Sequence, residues 1–156
     1  MVRMVLILLV MVLCGSQVLL AQGGGSTRGV APADTGRPYT PEKGSSERKA
    51  IVDALRTPVE KKLKQPVIFK IDHLKVQNGW AFLLGIPQRP DGSAIDYQDT
   101  IYQEAISGGA FDDGIVALLH NMNGKWRVTE FVIGATDVPY VDWDKKYRAP
   151  KAIFEQ

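Results

Sequence analysis

Two Asn-Gly pairs, Asn78-Gly79 and Asn123-Gly124, restrict the possible folds of this chain more than any other feature. A two-residue hairpin turn needs φ > 0 at both positions, which Gly takes freely and Asn tolerates. Each pair stands between apolar-rich runs: VIFKIDHLKVQNGWAFLLGI around the first, GIVALLHNMNGKWRVTEFVIG around the second. In both, a Trp closely follows the Gly, Trp80 in one and Trp126 in the other. Two hairpins of this kind predict one antiparallel sheet of about four strands.

Side-chain parity predicts that the sheet is bent. Trp80, Phe82, Leu84 and Ile86 alternate strictly. Phe69 and Ile71 fall out of step with Leu74 and Val76, with the change at Asp72-His73. Trp126 and Val128 fall out of step with Phe131 and Ile133, with the change at Thr129-Glu130. A β-bulge inserts one residue, restores the face and bends the strand.

A helix is expected to open the domain. Ser45 or Ser46 can cap it, Glu47 suits its first turn, and Ala50, Ile51, Ala54 and Leu55 recur at helical spacing. Thr57-Pro58-Val59-Glu60 reads as the start of a second, short helix, with Thr57 as cap and Glu60 completing a capping box. Pro66 ends it. Val59 and Leu63 point inward, and Lys61, Lys62 and Lys64 form a solvated face. The expected class is therefore α+β: an N-terminal helix packed on a bent antiparallel sheet.

Between the hairpins runs a long connection, Pro87 to Asp113, in which Ile95, Tyr97, Asp99 and Ile101 alternate as in a short strand. Loops of this length in small domains often carry function. After the sheet, Tyr140, Trp143 and Tyr147 form an aromatic segment, expected to be a short helix packing back on a sheet edge.

The first 21 residues read as a secretory signal peptide: Arg3, an apolar run from Met4, and cleavage after Ala21. Gly15-Ser16-Gln17 interrupts that run, which argues against a membrane anchor needing ~20 apolar residues. Lipid attachment at Cys14 is the alternative, although Val12 and Leu13 are bulky for a lipoprotein signal. Residues 22–45, rich in Gly, Ser, Thr and Pro, read as a disordered tether, and 46–156 as one domain. Within the tether, Arg37-Pro38-Tyr39-Thr40-Pro41 is a short candidate recognition motif.

Cleavage would leave no Cys, so the domain must be stable through its core alone. No Asn-x-Ser/Thr glycosylation acceptor occurs, and together these features favour a bacterial periplasmic or secreted setting. The net charge of +2 becomes about +1 without Arg3, and no basic stripe is available for nucleic acid.

Helix first, then a bent sheet over Ser46 to Asp142, resembles the cystatin-like or NTF2-like architecture. The pieces ERKAIVDALR, NGWAFLLGIPQ, VALLH and GATDV are similar to those of small exported bacterial proteins. That likeness implies no activity, and the fold serves both enzymes and binding modules. Enzymes of the NTF2-like form generally use a carboxylate base and a hydrogen-bond donor in a pocket between helix and sheet. The resemblance makes Asp72, His73, Tyr97, Tyr102, His120 and Glu130 the inward candidates.

Two functions are therefore carried forward. The first is an exported, non-enzymatic binding or accessory module, with Trp143, Tyr140 and Tyr97 as candidate binding residues and a protein partner or a second copy as ligand. The alternative is a pocket enzyme of isomerase or hydrolase type using Asp72 or His73 with a tyrosine such as Tyr102. Neither needs a cofactor. Metal binding has little support: there is no Cys pair or His-x-x-x-His, and Asp112-Asp113 reads as turn chemistry.

Overall fold

Both Asn-Gly pairs turn hairpins in the computed structural model, which describes residues 36–156. Asn78 and Gly79 have φ of 50° and 74°, and Asn123 and Gly124 have 54° and 77°. Positive φ at both central residues matches the right-handed twist of the flanking strands. The first hairpin joins β1 (Ile68–Gln77) to β2 (Trp80–Gln88), and the second joins β3 (Ile115–Met122) to β4 (Lys125–Ile133). The four strands form one antiparallel sheet in the order β1-β2-β3-β4, with β1 and β4 as its outer strands.

Both expected bulges are present. Ile71 pairs with Gly85 and His73 with Leu84, so Asp72 is the extra residue. Leu118 pairs with Glu130 and Leu119 with Val128, so Thr129 is extra. Each bulge returns the following side chains to the face they would otherwise leave. Phe69, Ile71, Leu74 and Val76 thus all meet one core, as do Trp126, Val128, Phe131 and Ile133.

The helix α1 (Ser46–Leu63) is a single element, which corrects the expected break at Thr57-Pro58. Ser45 caps it, its hydroxyl accepting from the Arg48 N–H at 3.2 Å. An interior Pro costs ~3 kcal/mol. Burial outweighs that here. Ile51, Leu55, Val59 and Leu63 recur at every fourth residue and are all buried, and each aliphatic side chain so buried contributes about 1.5–3 kcal/mol. Breaking the helix at Pro58 would swing the last two away from the sheet. Glu60, freed from capping, accepts instead from the Val67 N–H at 3.0 Å.

The aromatic C-terminal segment lies on the face of the sheet opposite α1, not on an edge as expected. It comprises a one-turn helix (Trp143–Tyr147) and a 3-10 turn (Lys151–Ile153). Trp143, Ala149 and Ile153 pack with Phe82, Val116 and Leu118 in a second core. The reason lies in the central strands. Phe82 and Leu118 face one side, Ala81, Leu83, Ala117 and Leu119 the other, and all six are fully buried. Strands apolar on both faces need a cover on both.

Two further expectations are corrected. Ile95 to Ile101 forms no strand; the connection holds only a bridge between Gln88 and Ala94 and a short helix at Gln103–Ser107. The part of the expected tether that falls within the described residues belongs to the fold. Tyr39 and Val76 exchange backbone hydrogen bonds of 2.9 and 2.8 Å, and Pro41 is buried. The expected signal segment, Cys14 and the rest of the tether lie outside the described residues. Among those described, no helix is long and apolar enough to cross a membrane.

Candidate functional site

The space between α1 and the sheet is filled. Ile51, Leu55 and Val59 meet Leu83, Ala117 and Leu119 there, each 0% exposed, and among the described residues no charged, imidazole or amide side chain is buried. The six inward candidates divide between two faces and an edge. Tyr97 and Tyr102 lie on the α1 side. His73 faces the C-terminal segment: its Nε2 stands 3.1 Å from the Ile153 carbonyl oxygen, which places the proton on Nε2. Its ring meets Phe82 edge-on at 5.7 Å. Asp72, the bulged residue, is exposed. His120 stacks on half-buried Trp80 at 4.0 Å. Glu130 accepts from Lys146 at 2.8 Å and from the Tyr147 hydroxyl. Lys146 first, then Tyr147, holds that carboxyl below its ordinary range. His73 thus stands on the face of the sheet opposite Tyr102, and Asp72 is exposed at the bulge of the edge strand β1.

Tyr97 and Tyr102 form an aromatic cluster with Phe111, at ring separations of 4.7 and 5.5 Å from it. The Lys62 ammonium sits 5.7 Å from the Tyr102 ring centre. Both hydroxyls are buried without a hydrogen-bond partner. Burial pushes each phenol up to about 12, with Asp113 adding to the effect at Tyr97. Neutral phenols donate hydrogen bonds but are not bases near neutral pH. Since an unsatisfied buried hydroxyl costs about 1–3 kcal/mol, Tyr102→Phe is expected to leave stability unchanged or raise it by up to ~1 kcal/mol. Urea denaturation checks this, and a clear loss would show that the hydroxyl is bonded in solution.

The groove on the other face brings two sequence candidates together. The C-terminal segment covers only part of that face, and beyond it a cavity of about 330 Å³ remains. Leu84, Ile86, Val116 and Val132 form its floor, with Pro139 and Tyr140 as a wall. Asp72, Asp112 and Asp137 line it as well, and among the described residues no Lys, Arg or His does. Asp112 is engaged, accepting from the Gly114 N–H at 2.8 Å. Asp72 and Asp137 are exposed. Val138 and Val141, 54% and 80% exposed, follow directly on the same loop.

Trp143 does not join this surface. It is 2% exposed, with its ring 6.5 Å from that of Phe82, so this candidate binding residue is packed in the core. Tyr97 lies across the sheet from the groove. A larger cleft, of about 680 Å³, lies between the end of α1 and residues 89–100. Its polar groups already engage one another: Gln65 donates to the Asp96 carbonyl at 2.7 Å, and Arg89 stands 3.8 Å from Asp96. The groove floor has a partial signal in the sequence, since Leu84 and Ile86 continue the alternation of Trp80 and Phe82. Among the described residues, no cluster of three acidic, His or Cys side chains could hold a metal ion.

No protein-family model matches this chain, and neither a curated protein nor a solved structure matches it.

Proposed function

We propose that this protein is an exported, non-enzymatic binding or accessory module of the bacterial envelope, cystatin- or NTF2-like in form, that receives a protein partner at the groove beside Tyr140. The observation that carries this reading is the groove floored by buried Val116 and half-buried Leu84, Ile86 and Val132, whose wall loop also carries the exposed Val138 and Val141. Exposed apolar surface contiguous with a concave site is characteristic of interaction surfaces. The filled helix–sheet interface supports a binding role over the pocket-enzyme alternative, which needs that space for substrate. The Met4–Ala21 segment supports export.

Photo-crosslinking in intact cells tests the proposal. A benzophenone amino acid at Val138 should give a discrete adduct in the envelope fraction. The same group at Ala50, exposed on α1, should give none. Equal labelling from both positions, or none from Val138, would remove the groove from consideration. Retention of the protein in the cytoplasm would remove export.

A further inference from the structure

We infer that the groove is built for a partner's peptide segment that carries a Lys or Arg beside apolar side chains; this rests on the groove being the binding surface. Charge complementarity is the first argument. The chain has slightly more basic than acidic residues, 19 Lys and Arg against 17 Asp and Glu. The groove departs from that balance, with three Asp and, among the described residues, no basic side chain in its lining. Asp112 is held by the Gly114 N–H, while Asp72 and Asp137 are exposed at its border. An anionic segment would meet like charge there, and a neutral apolar one would leave the carboxylates unused. A basic group beside apolar neighbours satisfies rim and floor together.

Size and surroundings favour a peptide. At about 330 Å³ the groove is at the small end of ligand pockets, enough for a few side chains and too small for a folded surface. Val138 and Val141 are exposed on the same loop that supplies Asp137, Pro139 and Tyr140 to the lining. The floor consists of strand side chains backed by a buried core, and that rigidity limits the ordering cost of binding.

Amide shifts on titrating the isotope-labelled protein with short synthetic peptides test this. A peptide centred on Leu-Arg-Leu should move the amides of Leu84, Val116 and Val132. A Leu-Glu-Leu counterpart should bind more weakly by about two- to fivefold, the scale of one exposed ion pair. Ser-Arg-Ser should not shift the groove. Raising salt from about 0.05 to 0.5 M should weaken Leu-Arg-Leu selectively, because exposed pairs are screened. The double variant Asp72→Asn, Asp137→Asn changes only exposed carboxylates and should remove the preference for Arg over Glu. Equal binding of the Arg and Glu peptides at the groove overturns the charge requirement and leaves the groove standing. Shifts confined to another surface, or none, overturn the inference. A missing Val138 crosslink is the separate sign that the groove proposal itself has failed.

Discussion

Trp143→Ala should destabilise the protein by about 3–5 kcal/mol, the range for removing a buried Trp or Phe side chain. The indole is 2% exposed and meets Phe82, Tyr140 and Tyr147 at ring separations of 6.3–6.5 Å. It also pins the C-terminal segment to the sheet, together with Ala149 and Ile153. Its loss leaves a cavity and loosens the cover over Phe82 and Leu118. Because whole domains are stable by only ~5–15 kcal/mol, the variant should show a much lower urea midpoint and a weakened near-ultraviolet signal. A change below ~1 kcal/mol would mean that the indole is not a core group and would reopen its role as a surface anchor.

Gly85→Ala is expected to cost about 3 kcal/mol, at the upper end of overpacking substitutions. A Cβ there would lie 2.4 Å from the Lys70 carbonyl oxygen and 3.2 Å from the Ile71 Cα. Both are backbone atoms, so no rotamer change relieves the clash. The contact arises where β1 bulges at Asp72 opposite Gly85. Gly124→Ala provides the comparison. It has open space around it but a φ of +77°, and should cost only the ~1–2 kcal/mol of a left-handed residue. Denaturation of the two variants side by side checks the order. If Gly85→Ala were the milder, the close approach of β1 to β2 would not hold in solution. Gly85 also lines the groove, so the substitution should reduce Leu-Arg-Leu binding even in the fraction that folds.

The parts of the fold that were legible in the chain rest on short-range rules. Asn78-Gly79 and Asn123-Gly124 specify their turns within four residues, whatever the rest of the molecule does. The slips of parity at Asp72 and Thr129 likewise need only the pattern of neighbouring side chains, because a sheet face repeats every second residue. Pro58 shows where such rules stop. Thr57-Pro58-Val59-Glu60 is a good local helix start, yet a sheet distant in sequence holds Val59 and Leu63, and the helix runs through. His73 shows the same limit. Its place beside a bulge was legible, but its hydrogen bond to Ile153, eighty residues away, was not.

From its residues alone, then, the chain declared two hairpins, two bulges, a leading amphipathic helix and a four-stranded α+β form, since turn chemistry and periodicity act through neighbours in sequence. Only the folded molecule could assign the faces. It put α1 on one side of the sheet and Trp143 and Ile153 on the other, parted His73 from Tyr102, and left Leu84, Ile86 and Val132 only partly covered beside Asp72 and Asp137. Those outcomes depend on which distant segments compete to bury the same apolar surface, a sum over the whole chain that no local pattern contains.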